Sequence, residues 1–517
     1  MRRLLLALVL LAGLAQAGTG TVRVRLPGGW VQGYAEADVL VFKGVPYAHA
    51  ERWRAPRRVD GWNGVFDARA YGPICPQRGS ITLRLGRWLG PYVPPADEDC
   101  LNLNVWAPAE DPPAGGWPVM VFVHGGSFTG GSGSEPIYDG ARLARRGVVV
   151  VTFNYRLGPF GFLALPSLAA EDPHGSTGNY GLLDQIAAFE WVRRQIAGFG
   201  GDPGNVTAFG ESAGAMALCA LLASPPARGA FDRAVLESGG CNFVYAPEEA
   251  YAHARAFAEQ VGCALDDPSC WRGLAVDELI ALEPSETDFE KVPFKPVLDG
   301  YVLAEPPERA LAAGRAAAVP LFVGATEDEY RLDVTAPGDP AKSTWAGVEA
   351  IIREKEGARA DAVIRHYRAR FGRALDAYYA YMGERILVCP SYRAGRLAAR
   401  RAPVYGYRFA YASSYWSRLG SMHGMELPFV FDTRAVWPFW GLFLSDAELE
   451  RSDPLVRAVQ SAWVRFAYGE VPRAGWAPAP RLGSGWLLGF DVRWGWRADD
   501  WAARCALWGA GEPMADR

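Results

Sequence analysis

Lysine is scarce in this 517-residue chain, standing only at Lys43, Lys291, Lys295, Lys342 and Lys355, so that nearly all of the 53 basic residues are arginine. The 57 acidic residues leave a formal net charge of -4, and no basic block offers itself to nucleic acid or to an anionic membrane. That balance suits a neutral or cationic small ligand better. No CxxC pair occurs among the eight cysteines, which removes the usual zinc spacing, and no metal is expected. No internal repeat, low-complexity tract or Ser/Gly linker divides the sequence; the proline-rich pieces from Pro91 to Pro95 and at Pro112 and Pro113 are only loop-length. Beyond the N-terminus, nothing approaches the ~18 continuous apolar residues that a membrane span needs.

What is present begins with an address. Arg2 and Arg3 precede an apolar run from Leu4 to Leu14, and Ala15-Gln16-Ala17 supplies a small-residue cleavage site. Residues 1–17 are therefore expected to be a signal peptide. The exported chain, secreted or periplasmic, would run from Gly18 to Arg517. In that compartment eight cysteines point to disulfides. Cys75 with Cys100 and Cys263 with Cys270 are close enough in sequence to close local loops, whereas spacing assigns no partner to Cys219, Cys241, Cys389 or Cys505.

The run WPVMVFV (Trp117 to Val123) has the length and β-branched content of a strand buried on both faces, and GVVVVTF (Gly147 to Phe153) is a second. Asn205 to Phe209, Ala234 to Leu236, Pro320 to Val323 and Val404 to Ala410 read as further short strands. Helical patterns lie between them, the clearest from Leu182 to Ile196 with Ile186, Phe189, Val192 and Ile196 on one face. Strands alternating with helices predict an α/β fold, a central mostly parallel sheet flanked by helices, whose ligand sites gather at the carboxyl ends of the strands.

The chemical motifs fall at such ends. Gly210-Glu211-Ser212-Ala213-Gly214 follows a strand and opens a helix, the setting of the nucleophile turn of α/β-hydrolases. Its glycines leave room for the neighbouring strand and helix, and the helix N-terminus favours negative charge developing near the Ser212 hydroxyl. His124-Gly125-Gly126-Ser127-Phe128, after the first strong strand, is the second motif. Backbone N–H groups of Gly125, Gly126 and Ala213 are the candidate oxyanion donors, and His124 is read as orienting the loop.

A serine hydroxyl needs an imidazole to take its proton and a carboxylate to hold the imidazole. Among His49, His124, His174, His253, His366 and His423, chain order in this fold excludes those before Ser212. His253 and His366 lie in charge-rich helical stretches and read as surface residues. His423, in the glycine-punctuated loop from Leu419 to Pro428, is the candidate base. For the acid, the loop after Pro320 to Val323 offers Glu327, Asp328 and Glu329, and spacing leaves all three open.

Several blocks in order now resemble one family: FKGVPYA (Phe42 to Ala48), EDCLNLNVW (Glu98 to Trp106), HGGSF, NYRLGPFGFL (Asn154 to Leu163), GNYGLLDQ (Gly178 to Gln185), FGGDPGNVTAFGESAGA and HGMELPFVF. From about Val22 to about Pro513 the chain is similar to the type-B carboxylesterases, which include the cholinesterases. The resemblance implies an α/β-hydrolase fold and a serine esterase acting through an acyl-enzyme on Ser212, with no cofactor. It places the base on His423 and the acid on Glu329, where the family's Asp-Glu-Gly has become Asp328-Glu329-Tyr330. It also implies disulfides Cys75–Cys100, Cys263–Cys270 and Cys389–Cys505, leaving Cys219 and Cys241 as buried thiols. Ion pairs are implied between Arg52 and Glu98 and between Arg156 and Asp184, and Glu211 is carried over as a carboxylate of the site.

Substrate clues are fewer. Counting back from Pro296-Val297-Leu298-Asp299-Gly300, the positions where acetyl-specific cholinesterases narrow the acyl pocket with aromatic rings fall on Glu290 and Val292, which implies room for acyl groups longer than acetyl. Trp88 lies near the family's choline-binding tryptophan and is a candidate cation-π residue, but in a chain with 19 tryptophans the reading as an ordinary loop tryptophan is favoured. The same machinery also fits an amidase, lipase, carbamate hydrolase or acyltransferase. A binding domain without catalysis would be expected to have lost the serine or histidine, and this chain keeps both.

Overall fold

The computed structural model describes residues 20–78, 94–283, 292–333, 335–412, 420–435, 445–473, 482, 486–491 and 495–509. Among the described residues thirteen strands form one sheet. Its N-terminal edge is antiparallel: β1 (Thr21–Leu26), β2 (Gly29–Glu36) and β3 (Val39–Pro46). The pair β4 (Ala48–His49) and β5 (Arg57–Arg58) stands apart, and β6 (Val65–Asp67) lies alongside β2. The sheet continues through β7 (Asn102–Pro108), β8 (Trp117–Val123), β9 (Val149–Phe153), β10 (Gly201–Glu211), β11 (Arg233–Glu237), β12 (Leu321–Thr326), β13 (Val404–Phe409), β14 (Trp486–Phe490) and β15 (Gly495–Ala498). Spatial order is β1-β2-β3-β7-β9-β8-β10-β11-β12-β13-β14-β15.

Pairings from β9 through β8 to β14 are parallel, so the middle of the sheet must be covered on both faces. In β8, Val119, Val121 and Val123 enter one apolar cluster while Met120 and Phe122 enter another, the two-residue alternation of a strand with a core on each side. Helices α1 (Tyr180–Gln195) and α2 (Ala213–Ala223) contribute to the first cluster, and α3 (Asp446–Ala467) to the second. The expected strands and the helix after Leu182 are all found. The edge strands β1 and β2 are half-exposed and mix apolar with polar residues, which hides them from a search for buried apolar runs, whereas β3 carries the short run Val39 to Phe42, three of whose side chains are fully buried. Among the described residues no helix is long and apolar enough to cross a membrane.

Disulfides join Cys75 to Cys100, Cys263 to Cys270 and Cys389 to Cys505, with Cα separations of 5.0, 5.7 and 5.3 Å. The expectation of free thiols at Cys219 and Cys241 is corrected: these two are also paired, Cα to Cα 5.2 Å. Cys219 sits on α2, which leaves the end of β10, and Cys241 follows the adjacent parallel strand β11. The strand pairing brings the two together across 22 residues of chain. The implied ion pairs are present: Arg52 Nε donates to Glu98 at 2.8 Å, and the buried Arg156 grips Asp184 through Nε at 2.8 Å and Nη2 at 2.7 Å.

Candidate active site

Where β10 meets α2, Ser212 takes φ 55° and ψ -123°, a backbone that costs a non-glycine residue about 1–3 kcal/mol and persists only where its surroundings hold it. They do: Ser212 N–H donates to the Glu237 carbonyl on β11 at 2.9 Å, and the Ser212 carbonyl accepts from Met216 N–H at 3.0 Å. Gly214 must be glycine, since a Cβ there would stand 1.9 Å from the Val123 carbonyl oxygen.

The loop leaving β8 lies directly on this turn. A Cβ on Gly125 would come within 2.9 Å of the Glu211 carbonyl oxygen and 3.1 Å of Ser212 Cβ. Gly126 adopts φ 107° and its backbone is exposed, while Ala213 is the first residue of α2. Gly125, Gly126 and Ala213 are therefore gathered round Ser212. His124 is wholly buried: its Nδ1 donates to the Gly125 carbonyl at 2.8 Å and its ring stacks on Tyr155 at 4.4 Å. Burial pushes this imidazole down to about 4, which leaves it uncharged at neutral pH and suited to holding the loop.

The three competing carboxylates after β12 go to different partners. Glu327 pairs with Arg408 and Arg504, each at 3.1 Å. Asp328 holds Arg331 at 2.8 Å and accepts from Ser421 N–H at 3.0 Å. Only Glu329 turns inward, where its Oε2 meets His423 Nδ1 at 2.6 Å. Tyr330, in place of the family glycine, is buried with its ring edge-on to Tyr378 at 5.9 Å.

Two further groups hold Glu329, and motif reading missed the more important one. Thr326 N–H donates to Glu329 Oε1 at 2.7 Å, and Ser238 Oγ donates to the same oxygen at 2.6 Å. Ser238 follows β11 with φ 53°, and the one available hint was its place in Ser-Gly-Gly after a buried strand. Glu426, three residues after His423, lies 3.3 Å from Ser238 Oγ and is fully buried, as is Glu237, which accepts from Trp463 Nε1 at 2.7 Å.

Burial dominates the electrostatics of this cluster. It pushes Glu426 up to about 8, assisted by the charges of Glu211 and Glu329, and raises Glu237 well above the ordinary carboxylate range, assisted by Glu426. Glu211 is raised to about 7 by burial, with His423 opposing. For His423 burial works against the charged form, but the anions Glu211 and Glu329 prevail and push the imidazole up to about 9. Its Nε2 is turned to the nucleophile turn, 3.1 Å from Glu211 Oε1.

Val292 is buried, its carbonyl accepting from Tyr245 OH at 2.7 Å. Trp88 and Glu290, like residues 1–17, lie outside the described residues.

Known proteins share this arrangement's sequence and fold. The profile of the carboxylesterase family matches residues 20–487. The para-nitrobenzyl esterase of Bacillus subtilis (strain 168) is 38% identical over 454 residues, covering 85% of this chain and 88% of its own. The fumonisin B1 esterase of Sphingopyxis macrogoltabida is 38% identical over 488 residues, 90% of this chain and 86% of its own. A solved PNB esterase superposes with a TM-score of 0.81 at 34% identity, covering 94% of this chain and 99% of that one.

Proposed function

The chain belongs to the carboxylesterase family, whose members hydrolyse carboxylic esters, and from that membership we propose that Ser212 is its nucleophile, His423 its general base and Glu329 its acid. The observation that carries the assignment is the 2.6 Å contact from His423 Nδ1 to Glu329, made while Nε2 of the same ring is turned to the strained turn at Ser212.

In this reading Glu329 fixes the tautomer that keeps hydrogen on Nδ1, so Nε2 is the nitrogen that accepts the Ser212 proton as Oγ attacks the ester carbonyl. Negative charge gathers on the carbonyl oxygen, and the N–H groups of Gly125, Gly126 and Ala213 receive it; losing one such donor typically costs ~100- to 1,000-fold. His423 then returns the proton to the departing alcohol. Water, deprotonated by the same nitrogen, releases the acid from Ser212. No step calls for a metal or an organic cofactor.

A buried Val292 where acetyl-specific relatives carry an aromatic ring supports acyl groups longer than acetyl. The test is a panel of aryl and choline esters with acyl chains of two to twelve carbons, run on the chain from Gly18 and on Ser212→Ala. Hydrolysis should favour acyl groups beyond acetyl and vanish in the variant; turnover surviving in Ser212→Ala would overturn the assignment. Export is part of the proposal, and N-terminal sequencing of the secreted product should read from Gly18.

A further inference from the structure

The wall beside the oxyanion loop carries one of this chain's rare lysines. Lys295 is 8% exposed, and its Nζ lies 4.2 Å from the ring centre of Phe243 and 4.4 Å from that of Tyr245. An ammonium set over two aromatic faces is attracted by their electron density and held in place. Phe243 is half-buried, and its other association is with the oxyanion loop: its ring stacks on Phe128 at 6.1 Å and 18°. Tyr245 ties Lys295 to the acyl side of the site. Its hydroxyl donates to the Val292 carbonyl at 2.7 Å, its N–H donates to the Pro296 carbonyl at 2.8 Å, and its own carbonyl accepts from Leu298 N–H at 2.9 Å. Phe243, Tyr245, Val292 and Lys295 are thus linked by contacts to one another and, through Phe128, to the oxyanion loop.

We propose that Lys295 selects esters whose acyl chain ends in a carboxylate, the half-esters of dicarboxylic or polycarboxylic acids. With the ester carbonyl at the oxyanion N–H groups, a short chain would cross the Phe243 face and its terminal carboxylate would accept a charge-assisted hydrogen bond from the ammonium. An ammonium has three donors, so this bond adds to the contacts Lys295 makes in the resting protein. A neutral chain of equal length covers the same rings and gains no ion pair. The net charge of -4 favours neutral or cationic ligands for the whole molecule, but a largely buried cation decides locally for a group brought beside it. The inference rests on the acyl-side assignment made above.

The test compares kcat/KM for 4-nitrophenyl butanoate with the 4-nitrophenyl half-ester of succinic acid, and hexanoate with the half-ester of adipic acid, in the wild type, Lys295→Met and Lys295→Arg. Methionine keeps the apolar stem, and the ratio of carboxylated to neutral ester should fall roughly 10- to 100-fold, mainly through KM, the size of a lost hydrogen bond between charged groups. Arginine should restore most of the ratio. An unchanged ratio in Lys295→Met, or equal losses on both series, would overturn the proposal. Failure of the esterase reading itself would look different, as the wild type would then hydrolyse neither series.

Discussion

Glu211 Oε1 stands 3.1 Å from Nε2 of His423, the ring nitrogen opposite the one held by Glu329 at 2.6 Å. The imidazole is therefore flanked by two carboxylates, and each favours its charged form. A general base must be neutral to accept a proton, so the acid limb of kcat/KM is expected above the ordinary histidine value of about 6.5, with activity rising as pH rises toward about 9. Glu211→Gln removes one anion, lowers the affinity of His423 for its proton and shifts the limb to lower pH. A pH profile of both proteins checks this; a limb that stays put or moves upward contradicts it.

Glu329→Gln retains the shape but not the charge that stabilises the imidazolium, and it permits the wrong tautomer. A loss of about 10⁴-fold in kcat is expected, as for the equivalent change in a serine protease triad. Glu327→Gln and Asp328→Asn lose ion pairs with Arg408, Arg504 and Arg331 at partly exposed positions, which contribute little each. Their kcat should stay within a few-fold of wild type. Steady-state kinetics on the three variants separates acid from neighbours.

That separation marks where sequence reading reached its end. The glycines around Ser212 and His124 were legible because each meets a steric demand: a Cβ on Gly214 would overlap the Val123 carbonyl, and one on Gly125 would press on the nucleophile turn. His423 was legible from chain order and its glycine-rich loop. The acid was not, because what distinguishes three adjacent carboxylates is which cations claim the other two, and Arg504 lies 177 residues from Glu327. Family resemblance named Glu329, the carboxylate that the structure sets against His423, and left Cys219 and Cys241 as thiols where the structure joins them. Ser238 and that cysteine pair share a cause: β11 pairs on one side with β12, setting Ser238 against Glu329, and on the other with β10, setting Cys241 against Cys219, and neither contact has a sequence spacing of its own.

Ser238→Ala should show what the unread residue contributes. Its hydroxyl is one of two donors to Glu329 Oε1, and a buried hydrogen bond to a charged group contributes about 1.5–3 kcal/mol. Without it Glu329 is held less firmly against His423, so kcat should fall about 10- to 100-fold while KM changes little. Ser238→Thr, which keeps the donor, should recover part of the loss if the crowded site admits its methyl. A fall in KM-dependent binding with kcat intact would place Ser238 outside the catalytic geometry.

The Cys219–Cys241 bond ties the helix that begins beside Ser212 to the segment leading toward Phe243. All eight cysteines are paired, so protein unfolded without reductant should show no reactive thiol, whereas unpaired Cys219 and Cys241 would release two. Closing a loop of this length restricts the unfolded chain by about 3 kcal/mol on the chain-entropy account. Cys219→Ala with Cys241→Ala should therefore lower stability by about 2–4 kcal/mol, read as a lower urea midpoint. The two sulfurs also sit in the core, so part of that loss is packing. Reduction opens all four bonds in the wild type and three in the double alanine variant, so the difference between their losses of stability on reduction isolates this cross-link from the packing; equal losses would leave the bond without a role in holding α2.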